Sequence, residues 1–147
     1  MHAAFELYHV GILVEDIEEA MARYGRELGL TFLEPITYRV GDRDVRLTFN
    51  TGEPPLHELL EANGSALYPH GQEGLHHLGY WTPDPEAAVA RVEAAGYTPL
   101  TVERGEDGKL LLAYYEAPGL GRIELVDPAM SKPFLAAWAA GAAPGRS

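Results

Sequence analysis

The sequence predicts an α+β fold in which two βαβββ modules form a curved mixed sheet around a central cleft. Two stretches repeat along the chain, HVGILVEDIEEAMARYGRELGL and HLGYWTPDPEAAVARVEAAGY, and both begin with the pattern His-apolar-Gly. Each stretch passes from a β-branched and aromatic run into a run with helical spacing, and strand-like runs follow each helix. A duplicated module explains all three observations.

The first module is predicted over residues 5–62. Its first strand runs from Phe5 to Val14, and Asp16 can accept hydrogen bonds from the free N–H groups at the start of a helix. Glu19 completes a pair typical of a capping box, and Gly29 ends the helix. The strand-like segments that follow are TFLEP, ITYRV, VRLTFN and PLHELLEA, separated by the turn signals GDRD and TGEPP.

A linker over residues 63–74 leads into the second module over residues 75–128. Its first strand runs from Leu75 to Trp81, and Asp84 and Pro85 start a helix that Gly96 ends. The strand-like segments TPLTVE, KLLLAYYEA and RIELVD follow. Residues 129–147 are predicted to be a helical or disordered tail of this single domain. Its final segment, WAAGAAPGRS, is expected to fray rather than join the core.

Composition excludes several classes of function. A chain of 147 residues is long enough for one core without disulfides, and a net charge of −11 disfavours nucleic acid as a partner. The absence of cysteine excludes thiolate metal sites. The first twenty residues lack a basic region and a long apolar run, so we expect neither a secretory signal nor a membrane span, and a cytoplasmic protein.

The duplicated motifs, together with GLHHLGY, LHELLEA and RIELVDP, resemble the vicinal oxygen chelate superfamily from about Phe5 to Pro128. This superfamily includes glyoxalase I, methylmalonyl-CoA epimerase, extradiol dioxygenases and bleomycin-resistance proteins. The sequence is most similar to the epimerase-like and glyoxalase-like members. The resemblance implies a homodimer.

The resemblance also implies four metal ligands, His9 and Glu58 from the first module and His77 and Glu124 from the second. The two pairs have similar separations, 49 and 47 residues. Two imidazoles and two carboxylates suit Zn, Co, Ni, Mn or Fe better than Ca, so we expect a divalent ion of that group. Glu61 and Asp127 are rival carboxylates, but both are expected to be solvated.

The other histidines are predicted not to be ligands: His2 and His70 lie in terminal or loop contexts, and His57 faces away from its neighbour Glu58. Because side chains alternate along a strand, His76 and His77 should not both reach one metal. Only His77 has the His-apolar-Gly context, so His76 is expected to pack under a helix or at a strand end. His77→Ala should therefore strip the metal, and His76→Ala should mainly reduce stability.

By resemblance, the implied activity is that of a metal-dependent isomerase, epimerase or lyase. It would remove a proton next to a carbonyl of a small-molecule substrate through a metal-stabilised enediolate, with Glu58 or Glu124 as the base. A non-catalytic binding protein of the resistance type is one alternative, although it needs no convergent ligands. An extradiol dioxygenase is another, although it uses two histidines and one carboxylate.

Strand alternation adds three candidate substrate-binding residues. Leu13 and Trp81 each lie four residues beyond a ligand histidine, and Arg122 lies two residues before Glu124. Arg122 could hold a substrate carboxylate or phosphate by a bidentate contact, or could be a rim charge. Of Tyr114 and Tyr115, one is expected to face the cleft and the other to pack outward.

Overall fold

A computed structural model describes residues 5–141 of the chain. The first module contains β1 (Glu6–Val14), α1 (Ile17–Leu28), β2 (Ile36–Val40), β3 (Arg43–Phe49) and β4 (Leu56–Glu61). The second contains β5 (Gly74–Trp81), α2 (Pro85–Ala94), β6 (Thr98–Arg104), β7 (Leu110–Ala117) and β8 (Gly121–Val126). A third helix, α3 (Pro128–Ala139), follows. Within the described range, no helix is long and apolar enough to cross a membrane.

The eight strands form one mixed sheet in the order β2-β3-β4-β1-β5-β8-β7-β6. The first strands of the two modules, β1 and β5, pair antiparallel at its centre. On either side, β1 pairs parallel with β4, and β5 pairs parallel with β8. Each half of the sheet is therefore one βαβββ module, and the predicted fold class is confirmed.

The helices begin where the sequence predicts. Asp16 accepts a hydrogen bond from the backbone N–H of Glu19 at 3.0 Å, and Asp84 accepts one from that of Ala87 at 3.1 Å. Gly29 ends α1 with a left-handed φ of 71°. These caps fix the point at which each module turns from its first strand into its helix.

One predicted strand is wrong. The segment TFLEP, residues 31–35, contributes only an isolated bridge between Phe32 and Asn50. Pro35 lacks the N–H that a sheet ladder requires, so the segment cannot continue as a central strand. Without it, the first module has the same three strands after its helix as the second.

Both central strands contain an irregularity immediately before a histidine of the repeat. The pairing of β1 with β5 shifts by one residue between Leu7 and His9, which leaves Tyr8 as the extra residue. It shifts again opposite Gly11 and Ile12, which leaves His76 as the extra residue of β5. The expected alternation of His76 and His77 is wrong, because the bulge brings their rings together, with the two Nδ1 atoms 2.7 Å apart.

The two His-apolar-Gly motifs pack against each other. His9 lies opposite Gly79, and Gly11 lies opposite His77. A β-carbon on Gly79 would overlap the ring of His9, and a β-carbon on Gly11 would overlap the ring of His77. Each glycine therefore provides the space for the histidine of the other module.

The helix α3 covers one side of the concave sheet face. Its Trp138 is buried, packs edge-on against Phe49 and donates from Nε1 to the carbonyl oxygen of Glu34 at 2.9 Å. Trp138 therefore belongs to the core, against the expectation that the WAAGAAPGRS segment frays outside it. The last six residues of that segment lie outside the described range.

We expect Gly11→Ala to destabilise the protein by about 1–3 kcal/mol, because the added methyl group must displace the buried ring of His77. Gly25→Ala is the control. A β-carbon at Gly25 in α1 would meet nothing closer than 3.6 Å, so helix propensity should make it neutral or stabilising by up to ~1 kcal/mol. Urea unfolding measures both, and equal stabilities for the two variants would contradict the reciprocal packing.

Candidate metal centre

The fold brings the four predicted ligands to one point. His9 and His77 come from the two central strands, and Glu58 and Glu124 come from the parallel strands that flank them. In the sheet register Glu58 lies beside Gly11, and Glu124 lies beside Gly79. All four side chains are buried, and each offers one ligand atom within 4.8 Å of the others.

The distances within this quartet fit a single divalent ion. His9 Nε2 lies 2.9 Å from His77 Nε2 and 3.0 Å from Glu124 Oε1. Glu58 Oε1 lies 3.3 Å from His9 Nε2 and 3.2 Å from His77 Nε2. Two ligand atoms held about 2.0–2.2 Å from one ion at right angles to each other are about 3 Å apart. Among residues 5–141, Glu58 Oε1 has no donor near it other than the imidazoles of His9 and His77.

Hydrogen bonds within the quartet keep Glu124 and His77 charged although both are buried. Burial raises the pKa of Glu124, but hydrogen bonds from His77 and His9 outweigh it and lower the pKa to about 2. For His77, burial lowers the pKa, but hydrogen bonds to Glu124 and Glu58 outweigh it and raise the pKa to about 9. Without an ion, a proton on His77 therefore supplies the positive charge that the two carboxylates require.

A chain of hydrogen bonds fixes the orientation of His77. His76 Nε2 lies 2.6 Å from the carbonyl oxygen of Leu67, and a carbonyl can only accept, so this nitrogen carries the proton. Burial, followed by the proximity of His77, lowers the pKa of His76 to about 4, so its other nitrogen is a free acceptor at neutral pH. His76 Nδ1 lies 2.7 Å from His77 Nδ1 and accepts a hydrogen bond from the N–H at that position. The lone pair of His77 Nε2 is then available to a metal.

The cavity beside the quartet has a volume of about 270 Å³. His9, Glu58 and Glu124 are among the residues that line it, and most of the others are aliphatic or aromatic. Its aromatic residues come from both modules, the linker and α3: Tyr8, Tyr38, Phe49, Tyr68, Tyr114 and Phe134. Burial, followed by the charge of Glu124, raises the pKa of Tyr38, so its hydroxyl stays neutral.

The predicted substrate-binding residues lie outside this lining. Leu13 is buried in the core, and Trp81 is stacked on Tyr8 with ring centroids 4.4 Å apart. The guanidinium of Arg122 donates from Nη1 to the backbone carbonyl of His76 at 3.1 Å. Arg122 is therefore held at the backbone of β5 beside His77, and its role in substrate binding stays a prediction.

The structure also shows where the two tyrosines and the two rival carboxylates of the sequence analysis lie. Tyr114 lines the cavity, whereas Tyr115 packs outward and its hydroxyl donates to Glu93 in α2 at 2.6 Å, as expected of this pair. Glu61 and Asp127 do not join the quartet. Glu61 accepts from the backbone N–H of Ile17, and Asp127 caps α3, so neither is simply solvated.

The remaining histidines also stay outside the quartet. His57 packs near Tyr24 of α1, with ring centroids 5.8 Å apart, and His70 contacts Glu15 at 2.9 Å. His2 lies outside the described residues. His76 packs neither under a helix nor at a strand end. It stacks on Tyr68, with ring centroids 5.1 Å apart.

Two parts of the cavity were not predicted from the sequence. Tyr68 lies in the linker, where Leu67 and Tyr68 form an apolar pair in an otherwise polar segment. Phe134 lies on α3, which begins with the same Asp-Pro signal that starts α2 and carries aromatic residues four positions apart. Both signals are present in the sequence, but neither indicates the direction in which its segment folds back.

The sequence matches the family model of the Glyoxalase/Bleomycin resistance protein/Dioxygenase superfamily over residues 8–115. The chain belongs to this superfamily. The vicinal oxygen chelate superfamily predicted from the repeated motifs is therefore confirmed. No curated protein matches the chain.

Solved structures with the same fold include methylmalonyl-CoA epimerases. The enzyme from Mycobacterium tuberculosis is 23% identical with a TM-score of 0.68, and the match covers 90% of this chain and 96% of that one. A Streptomyces coelicolor epimerase variant in complex with 2-nitronate-propionyl-CoA is 21% identical with a TM-score of 0.68, covering 87% and 97%. A hypothetical protein from Bacillus halodurans is 21% identical with a TM-score of 0.66, covering 85% and 95%. These similarities show a shared fold.

We expect His76→Ala to weaken Zn²⁺ binding by about 10- to 100-fold, because His77 loses the acceptor that orients its ring. His76→Gln should recover much of the affinity, since an amide can accept from His77 Nδ1 and donate to the Leu67 carbonyl. Competition with a fluorescent chelator measures the affinity. If the His76→Ala protein unfolds more easily but binds Zn²⁺ with wild-type affinity, the role of His76 is purely structural.

The metal-free protein should lose stability on both sides of a plateau. The pKa of His77 is raised from 6.5, so its contribution is complete below pH 6.5 and is lost as the pH rises through about 9. The pKa of Glu124 is lowered from 4.5, so its contribution is complete above pH 4.5 and is lost as the pH falls towards about 2. Urea unfolding of chelator-treated protein across this range measures both limbs.

The His77→Gln variant is the control for the alkaline limb of that profile. It carries no titrating imidazole at this position, so its stability should change less between pH 6.5 and 9 than that of the wild type. If the wild type and His77→Gln lose the same stability between pH 6.5 and 9, the alkaline loss belongs to another group.

Proposed function

We propose that this protein is a divalent-metal-dependent isomerase, epimerase or lyase that removes a proton next to a carbonyl group. The observation that carries the proposal is the buried quartet of His9, Glu58, His77 and Glu124. Placing two carboxylates and two imidazoles in a core is unfavourable unless they are paired or coordinate an ion. A protein that only bound small molecules in this cleft would have no use for that arrangement.

The four residues would hold one of Zn, Co, Ni, Mn or Fe, and would leave one or two coordination positions for substrate oxygens. An ion there supplies Lewis-acid stabilisation of negative charge that develops on a substrate oxygen. The two carboxylates distinguish the set from the two-histidine, one-carboxylate triad of non-haem iron oxygenases. This difference favours proton transfer over oxygen chemistry.

Glu58 is the first candidate for the base. Glu58 Oε1 lies 3.3 Å from His9 Nε2, whereas Glu124 Oε1 lies 3.0 Å from the same atom. A carboxylate that is held less closely moves at lower cost towards a substrate proton. The apolar walls would limit the access of bulk water to the reacting carbon.

The homodimer and the cytoplasmic location stay predictions, and the proposal does not depend on either. Every ligand atom of the quartet comes from one chain. The effects of His9→Ala and Glu124→Ala on metal binding can therefore be measured on the single polypeptide.

Metal analysis and solvent exchange test the proposal together. We expect the purified protein to carry about one equivalent of a divalent ion, and His9→Ala to lose it. The loaded protein should exchange deuterium from solvent into the carbon next to the carbonyl of at least one compound in a panel of 2-hydroxy and 2-oxo carbonyl compounds. Metal binding that survives both His9→Ala and Glu124→Ala would reject the proposal.

Glu58→Gln should reduce the exchange rate by about 10²–10⁴-fold, because a neutral amide cannot take the proton. Glu61→Gln is the matched control, since Glu61 lies three residues on in the same strand and outside the quartet. Metal content measured alongside separates loss of the base from loss of the ion. A Glu58→Gln protein with full metal and full exchange would move the role to Glu124.

A further inference from the structure

The walls of the cavity offer no cation to a charged substrate group. Among the described residues no lysine or arginine lines it, and most of the wall away from the quartet is apolar, including Val40, Leu47, Phe49, Leu112, Val126 and Phe134. Three of the polar side chains in the wall are engaged in hydrogen bonds. Ser131 Oγ accepts from Trp81 Nε1 at 2.6 Å, and the Tyr68 hydroxyl donates to that of Tyr114 at 3.2 Å.

The quartet itself leaves no surplus positive charge. Two ionised carboxylates balance one divalent ion, and neutral imidazoles add nothing. A pair of chelating oxygens with at most one negative charge can be accepted. A second negative charge on the substrate body would lie against apolar walls without a cation, which is unfavourable for a buried carboxylate or phosphate.

The helix α3 makes the cavity small as well as apolar. Met130 and Phe134 form its wall there, and the Phe134 ring lies edge-on to Tyr38 with centroids 6.5 Å apart. The helix is held in place at both ends, by Ser131 with Trp81 and by Trp138 with the Glu34 carbonyl. Aromatic rings in such edge-on arrangements favour an aromatic or bulky alkyl guest.

We propose that the substrate is a small oxygen chelator with an uncharged aromatic or branched-alkyl body, and not an acyl-CoA thioester. This rests on the proposed function, because the chelating end requires the metal. The cavity volume of about 270 Å³ accommodates a single ring or a short branched chain. The net charge of −11 opposes a ligand with several phosphates, and no lysine or arginine within residues 5–141 lines the cavity to bind one.

Three hydroxamates test this inference on Co²⁺-loaded protein by calorimetry. Acetohydroxamic acid presents the chelating oxygens alone, benzohydroxamic acid adds a ring, and para-carboxybenzohydroxamic acid adds a charge to the ring. Burying the ring should make benzohydroxamic acid bind about 10- to 50-fold tighter than acetohydroxamic acid. The carboxylate should cancel that gain. Affinities for free Co²⁺, measured in parallel, correct for differences in chelation.

Variants of the wall residues show whether the wall binds the ring of the probe independently of the chelating oxygens. Phe134→Ala should reduce the preference for benzohydroxamic acid and leave acetohydroxamic acid unchanged. Met130 is half exposed at the cavity wall, so Met130→Lys can be introduced without burying a charge, and it should restore binding of the carboxylated probe. Met130→Gln is the uncharged control and should not.

The outcomes distinguish this inference from the proposed function. If acetohydroxamic acid shows no metal-dependent binding, the proposed function is wrong and the inference falls with it. If it binds, but the carboxylated probe binds the wild type as tightly as benzohydroxamic acid does, only the inference is overturned. Displacement of benzohydroxamic acid by propionyl-CoA at micromolar concentration would overturn the inference in the same way.

Discussion

The packing of each histidine ring over the glycine of the other module is the constraint on which the site depends. His9 occupies the space above Gly79, and His77 occupies the space above Gly11. The same glycines lie beside Glu58 and Glu124 in the sheet register, so each glycine adjoins two ligands of the quartet. A larger residue at either glycine would displace a ligand from the opposite module. The seam between β1 and β5 therefore joins the modules and shapes the quartet at once.

The quartet is built at the expense of stability. Two carboxylates and two imidazoles are almost fully removed from water at the centre of the sheet, where apolar residues of the same size would pack with less electrostatic cost. The bulges at Tyr8 and His76 add a second departure from regular structure, since each turns an extra side chain into the interior. In β5 this extra residue links His77 to the Leu67 carbonyl, so the linker between the modules takes part in orienting a ligand.

The sequence predicts those features that repeat and fails for those that occur once. The two modules and their helix caps follow from matching His9 with His77 and their surroundings, because repetition doubles each weak signal. The four converging residues follow from the resemblance to the vicinal oxygen chelate superfamily. The orientation of His76 could not be predicted, since a bulge depends on how two strands pair and leaves no local pattern. Trp138 and Tyr68 also escaped prediction. Each lies in a segment without a counterpart in the other module, and its direction is set by tertiary packing. Leu13 and Trp81 are buried but do not line the cavity.

The residues of the quartet and the part of the cavity wall formed by α3 occupy separate stretches of the chain. Every residue of the quartet precedes Asp127, and the helix that completes the cavity wall begins at Pro128, directly after the last strand. The quartet and this part of the cavity wall are thus encoded in consecutive stretches of the chain. Substitutions of Met130 or Phe134 can therefore change the shape of the cavity while the four candidate ligands keep their strands, so α3 offers a way to alter what the cavity admits that leaves the central sheet intact.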